Sequence, residues 1–191
     1  MLAFKYICIT NANILEGIKR TKMLDFKINK QKALNSLLYV IHCLNNADKH
    51  KVFKILYFAD QKHLLNYGRP IIGDTYLKMD FGPVPSYVKN LVENQVDEFQ
   101  NMFSLEGYYI NAKDEANLDF LSEAELESLD EAINENSHLS FSQLTDKSHD
   151  FAYNNSSWPI NYIDIAKAVN ADETILNLIK LNSQNDNIVL R

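Results

Sequence analysis

Two ionisable side chains set into the middle of an otherwise apolar helical face constrain this chain more than any other feature it has. At about 100° per residue, Val52, Phe53, Ile55, Leu56, Tyr57, Ala59, Leu64 and Tyr67 gather on one broad side of a helix. Asp60 and His63 fall inside that side, three residues apart and so within reach of each other. Burying a carboxylate costs several kcal/mol unless something pairs or hydrogen-bonds it, so the fold has to bring partners. The nearest in sequence are His63, Arg69, Thr75 and the backbone amides around Gly68.

The helix also has to stop abruptly. Gly68 is free to take a positive φ and Pro70 cannot continue the hydrogen-bond ladder, which places the end at Tyr67 to Pro70. Ile71 to Asp80 is rich in β-formers, and a short strand is predicted over Thr75 to Met79. In Gly82-Pro83-Val84-Pro85 each proline fixes its own φ and restricts the residue before it. That backbone reads as a rigid strand-to-helix connector, with Pro85 opening a helix through Val96. The same rigidity suits a preformed surface loop for a partner.

Around this stretch the pattern is mainly helical. Ala33, Leu37, Leu38, Val40, Ile41 and Leu44 repeat at three and four from Asn29, and Asn45 and Asn46 stop them. Asp48 then caps the organising helix, predicted to run to about Asn66 and to pack antiparallel on its predecessor. Met102–Leu105 and Tyr108–Asn111 read as a hairpin about Glu106-Gly107, with the Thr75–Met79 strand as its neighbour. Ser122 with Glu125, and Ser140 with Gln143, form capping boxes. Trp158, Pro159 and Ile160 are expected to anchor over a sheet edge or helix ends, Asp172 to cap a last helix through Leu181, and Asn182 to Asn187 to fray. The fold class is α+β: a mostly helical single domain with a small antiparallel β-sheet, a hairpin plus one strand.

A chain of 191 residues, 46% apolar, can build one sizeable core. Cys8 and Cys43 are too few and too far apart for a disulfide framework or zinc knuckle, which fits a reduced, cytoplasmic setting. The opening apolar run is only Ile7 to Ile9 and no later stretch could span a bilayer, so no membrane role is expected. The net charge of −6 hides an asymmetry: residues 19 to 69 carry eleven Lys or Arg against three acids, and residues 92 to 135 carry thirteen acids against Lys113. Either the two surfaces pack against each other or they face partners of opposite sign.

Catalytic chemistry finds little support. The chain has no phosphate-binding glycine loop and no nucleophile elbow, and no nucleophile stands where Asp60 and His63 could activate it. His149-Asp150, with His138 nearby, matches the central pair of one class of metal phosphohydrolases, but no spaced set of further ligands accompanies it. No catalytic residue, metal or cofactor is therefore predicted.

YFADQKHLLNYGRPIIGDTY followed by FGPVPS resembles the Panacea domain, also called the SocA-like or phage-associated antitoxin domain. LSEAELESLDEAI, LSFSQLTDKSHDFAY and Trp158 extend the resemblance over roughly residues 27 to 165, with Tyr153 standing where tryptophan is common. It leaves residues 1–26 as an added arm and 166–191 as a C-terminal helix and tail. The residues that carry it, and are candidates for structural or partner-binding roles, are Asp60, His63, Gly68, Arg69, Pro70, Gly82, Pro83, Pro85, His149, Asp150 and Trp158. The resemblance implies a non-enzymatic bacterial antitoxin that neutralises a cognate toxin, encoded by a neighbouring gene, by direct binding. In one branch of the family the antitoxin is also an adaptor that delivers its toxin to a cytoplasmic AAA+ protease. The alternative is a nucleic-acid-binding autorepressor, given the lysine-rich helix pair of residues 29 to 67; the acidic chain speaks against it. A metal-dependent hydrolase built on His149 and Asp150 is the third reading.

Overall fold

The computed structural model describes residues 24–44, 47–94, 99 and 101–188. In order it contains α1 (Lys30–Cys43), α2 (Lys49–Tyr67), β1 (Tyr76–Met79), β2 (Gly82–Pro85), α3 (Ser86–Asn94), β3 (Phe103–Glu106), β4 (Tyr109–Ala112), α4 (Glu123–Asn136), α5 (Phe141–Ser148), α6 (Phe151–Asn155), α7 (Tyr162–Ala168) and α8 (Glu173–Asp186). The mostly helical α+β class expected from the sequence is what forms. Residues 1 to 22, Asn45, Asn46 and Val96, to which the sequence assigned roles, lie outside the described residues.

Side-chain caps decide where most helices begin. Asn29 accepts from the Lys32 amide at 3.1 Å and Asp48 from the Lys51 amide at 2.9 Å, satisfying amides that a first helical turn leaves unpaired. Both expected capping boxes are complete, at Ser122/Glu125 and Ser140/Gln143. Helix α3 begins differently. Pro85 is not its first residue; instead the distant Asp74 accepts from the Tyr87 and Val88 amides at 2.9 and 3.0 Å. Helix α8 runs past Leu181 to Asp186, because Asn182 donates to the Gly68 carbonyl at 3.0 Å and Ser183 to the Asp25 carbonyl at 2.7 Å. The segment expected to fray is pinned to the backbone it lies on.

Helix α2 is the centre of the molecule. Every residue from Val52 to Gln61 is buried, with α1, α4, α5, α7, α8 and β2 packed around it. The amphipathic reading was therefore too narrow, since a helix enclosed on all sides needs no polar face. It also failed at its end, where Tyr67 emerges and is 40% exposed.

The strands form two separate antiparallel pairs rather than one sheet. Tyr76 faces Pro85 and Met79 faces Gly82 in one; Phe103 faces Ala112 and Glu106 faces Tyr109 in the other. The two-residue link Asp80-Phe81 closes β1 directly onto Gly82–Pro85, so the expected connector is itself a strand. Pairing alternates along an antiparallel ladder, which turns Pro83 and Pro85 away from β1, and their missing amides cost no ladder bond. Ile160 covers the free side of β1 by donating to the Tyr76 carbonyl at 2.9 Å, whereas Trp158, expected to help anchor, is 68% exposed.

The charge asymmetry resolves inside the molecule. Lys32 pairs with Glu125, Lys49 with Glu93 at 2.6 Å, and Lys62 with Glu131 and Glu135 at 3.1 and 2.7 Å. Three lysines of the basic helices, Lys32, Lys49 and Lys62, thus find their counter-charges in the acidic region, so that part of the basic surface is already paired.

Candidate partner-binding groove

Asp60 is 1% exposed and both of its oxygens are engaged: Oδ1 accepts from the Ile71 amide at 2.8 Å and Oδ2 from the Tyr76 hydroxyl at 2.8 Å. Burial outweighs these bonds and pushes its carboxyl up to about 7. His63, also buried, donates from Nδ1 to the Arg69 carbonyl at 2.7 Å, and burial lowers its pKa. No hydrogen bond or ion pair joins Asp60 to His63 among the described residues. They hold the same turn from different points, and the expected contact between them is replaced by contacts to its backbone. Nor do Arg69 and Thr75 side chains serve Asp60; Ile71 and Tyr76 do.

The turn itself is built as its residues suggest. Gly68, at φ 65°, caps α2, Pro70 is buried and Arg69 is exposed. Beyond it Asp74 anchors α3, and burial raises its carboxyl to about 6. This chain of contacts, α2 to turn to β1 to α3, fixes the β1–β2 hairpin against α2.

His149 and Asp150 act locally. His149 stacks on Tyr153 with ring centroids 4.0 Å apart. Asp150 accepts from the Tyr57 hydroxyl at 2.9 Å, the Gln61 amide at 2.6 Å and the Tyr153 backbone at 3.0 Å, so it ties α6 to α2. Among the described residues no group of three or more His, Cys, Asp or Glu side chains converges as a metal set would. The Asp150 carboxylate is taken up in capping α6 and in the Tyr57 and Gln61 bonds, while the His149 ring packs on Tyr153.

Beside the hairpin lies a groove of about 670 Å³, whose lining includes Lys49, His50, Lys54, Phe81, Tyr109 and Phe141. Its rim is aromatic and largely uncovered: Phe81 is 59% exposed and Tyr108 72%, with Met79, Tyr109 and Phe141 also exposed. Phe81 and Phe141 meet edge to face at 5.2 Å, and Phe141 stacks on His50 at 3.9 Å. Phe81 sits at the hairpin tip that the Asp60 network holds in place. Contiguous exposed aromatics of this kind mark surfaces that other molecules cover.

A family model for the antitoxin SocA-like, Panacea domain matches residues 52–154. The chain belongs to this family. No curated protein and no solved structure matches it. The matched span of the Panacea domain contains the turn, the β1–β2 hairpin, most of the groove lining and His149-Asp150; it begins after Asp48, Lys49 and His50 of the groove and ends before Trp158. No helix among the described residues is long and apolar enough to cross a membrane.

The sequence reading missed Lys54. This lysine of the Panacea domain is 0% exposed, and its one hydrogen bond is donated to the outward-facing Pro83 carbonyl at 2.8 Å. No carboxylate pairs with it among the described residues, and burial pulls its pKa down to about 7. The signal was available: a single lysine inside the apolar run Val52 to Ala59. An unpaired buried ammonium costs stability, so Lys54→Met should raise unfolding free energy by about 1 to 3 kcal/mol at pH 6. The gain should shrink by pH 9, where the native amine is neutral and the penalty is reduced to that of releasing a proton the unfolded lysine still holds. Urea unfolding at the two pH values checks this; a variant less stable than the native protein at both would contradict it.

Proposed function

We propose that this Panacea domain is an antitoxin that neutralises a toxin protein by direct contact through the aromatic groove. The toxin is the product of a neighbouring gene, the setting is the cytoplasm, and the role is one of binding rather than catalysis. The observation that carries the reading is the exposed cluster of Phe81, Tyr108, Tyr109 and Phe141 around a concave surface within a family-matched antitoxin domain. Aromatic anchors seated around a pocket dominate binding energy at protein interfaces. The groove also lies on a surface whose geometry motif residues fix, through Asp60 and the hairpin.

Co-expression with the adjacent gene product should rescue growth, and the two proteins should co-purify. Phe81→Ala should weaken the complex by about tenfold to a hundredfold, the usual cost of truncating an interface anchor. Because Phe81 is mostly exposed, the melting temperature should move by no more than about 2 °C. Rescue that survives loss of both Phe81 and Tyr109 would place the contact elsewhere.

A further inference from the structure

We propose that the groove receives a segment of the partner protein in which an aromatic anchor is followed by an aspartate or glutamate, whose carboxylate pairs with the Lys54 ammonium. This rests on the docking reading above and adds the chemistry of the occupant. The walls supply Phe81, Tyr109 and Phe141 for an aromatic body. The floor supplies a cation with no counter-charge of its own.

The groups around Lys54 leave that place open. From β2 it meets the Pro83 carbonyl; a Cβ built on Gly82 would lie 3.0 Å from its Nζ and 2.2 Å from the Ser148 hydroxyl, so that hydroxyl of α5 is close by. Ser148 donates to the Thr145 carbonyl at 3.0 Å. On its own helix His50 lies one turn back, and burial brings its pKa down to about 4, so it stays neutral at pH 7 and supplies no charge. Its Nε2 contacts the Thr145 hydroxyl at 3.2 Å, and the Phe81 backbone lies beside the ring. At the rim, Lys49 and Lys89 share Glu93, Asp48 caps α2, and Asp80 is at the exposed hairpin tip.

Lys54 is sealed from solvent in the free protein, so the pairing requires the exposed Phe81 side chain to swing aside as the partner's ring enters, with the hairpin backbone left in place. A charge-assisted bond made there is shielded from water and is stronger than one at the rim. The same residue that weakens the free domain would then select its partner. Pairing with a carboxylate raises the lysine pKa on binding, so association takes up a proton and weakens as pH rises above about 7.

The test uses acetyl-Phe-Glu-amide and its uncharged isostere acetyl-Phe-Gln-amide, titrated by NMR into the full chain at pH 6.5 and pH 8.5. The acid is expected to bind about tenfold tighter at pH 6.5, with a smaller preference at pH 8.5 and none in Lys54→Met. In the native protein the Lys54 Cε resonance should titrate at higher pH once the acid is bound, a readout that needs no variant. Equal affinities, no binding of either peptide at millimolar concentration, or an unmoved Lys54 resonance would overturn the proposal. A preference that survives Lys54→Met would assign it to Lys49 and Lys89 and overturn it too. None of these outcomes depends on toxin rescue, so the docking reading can stand if this one falls.

Discussion

Gly82→Ala should lower the unfolding free energy by about 3 to 5 kcal/mol, enough to consume much of the stability of a typical domain. Two independent costs meet at this residue. Its φ is +97°, a conformation that residues with a side chain rarely adopt. An added Cβ would also stand 2.2 Å from the buried Ser148 hydroxyl, which would have to give up its place, and 3.0 Å from the Lys54 ammonium, which would have to shift from the Pro83 carbonyl. Gly107→Ala is the control: it has a similar handedness, with φ +64°, but nothing within 4 Å of the added carbon, and should cost only about 1 kcal/mol. Chemical denaturation of both variants separates strain from crowding. Equal losses would show that the close packing of β2 on α2 and α5 contributes nothing.

This glycine also shows where sequence reading stops. Gly82-Pro83-Val84-Pro85 was legible as constrained backbone, because proline and glycine act locally. Its pairing with Tyr76–Met79 was not, because two prolines argue against a strand unless one knows which way each faces. Caps were legible for the same local reason, at Asp48, Ser122, Ser140 and Asp172. The Asp74 cap on α3 spans 13 residues and leaves no such trace. In the candidate site, burial of Asp60 and His63 followed from periodicity, but their partners did not, because the turn folds its amides and carbonyl toward them and keeps the two side chains apart. Lys54 was overlooked because a lysine beside apolar residues is ordinarily read as reaching out to water. Here the helix is enclosed on all sides, and the lysine has no route out.

Asp60→Asn should give the clearest pH signature in the protein. The native carboxyl sits near 7 when folded, against an ordinary value of 3.8, so between about pH 4 and 7 the folded chain holds a proton that the unfolded chain releases. Native stability then falls as pH rises through that window, by up to about 1.4 kcal/mol per unit, and levels off above it. Asp74 acts in the same direction; His50 opposes it below about pH 6.5, and Lys54 raises stability above about pH 7. These groups are common to both proteins, so the difference between variant and native isolates Asp60. At pH 5 asparagine should cost at most about 1 kcal/mol, because the protonated native carboxyl it replaces likewise turns one acceptor to the Ile71 amide and one hydrogen-bearing group to the Tyr76 hydroxyl, which can donate onward to the Leu56 carbonyl. By pH 8 the native protein carries a buried charge that the variant lacks, and the two should be equally stable or the variant ahead. Urea unfolding across pH 5 to 8 decides the matter: a cost that stays constant would mean Asp60 is already ionised at pH 5 and that its two hydrogen bonds, not burial, set its state.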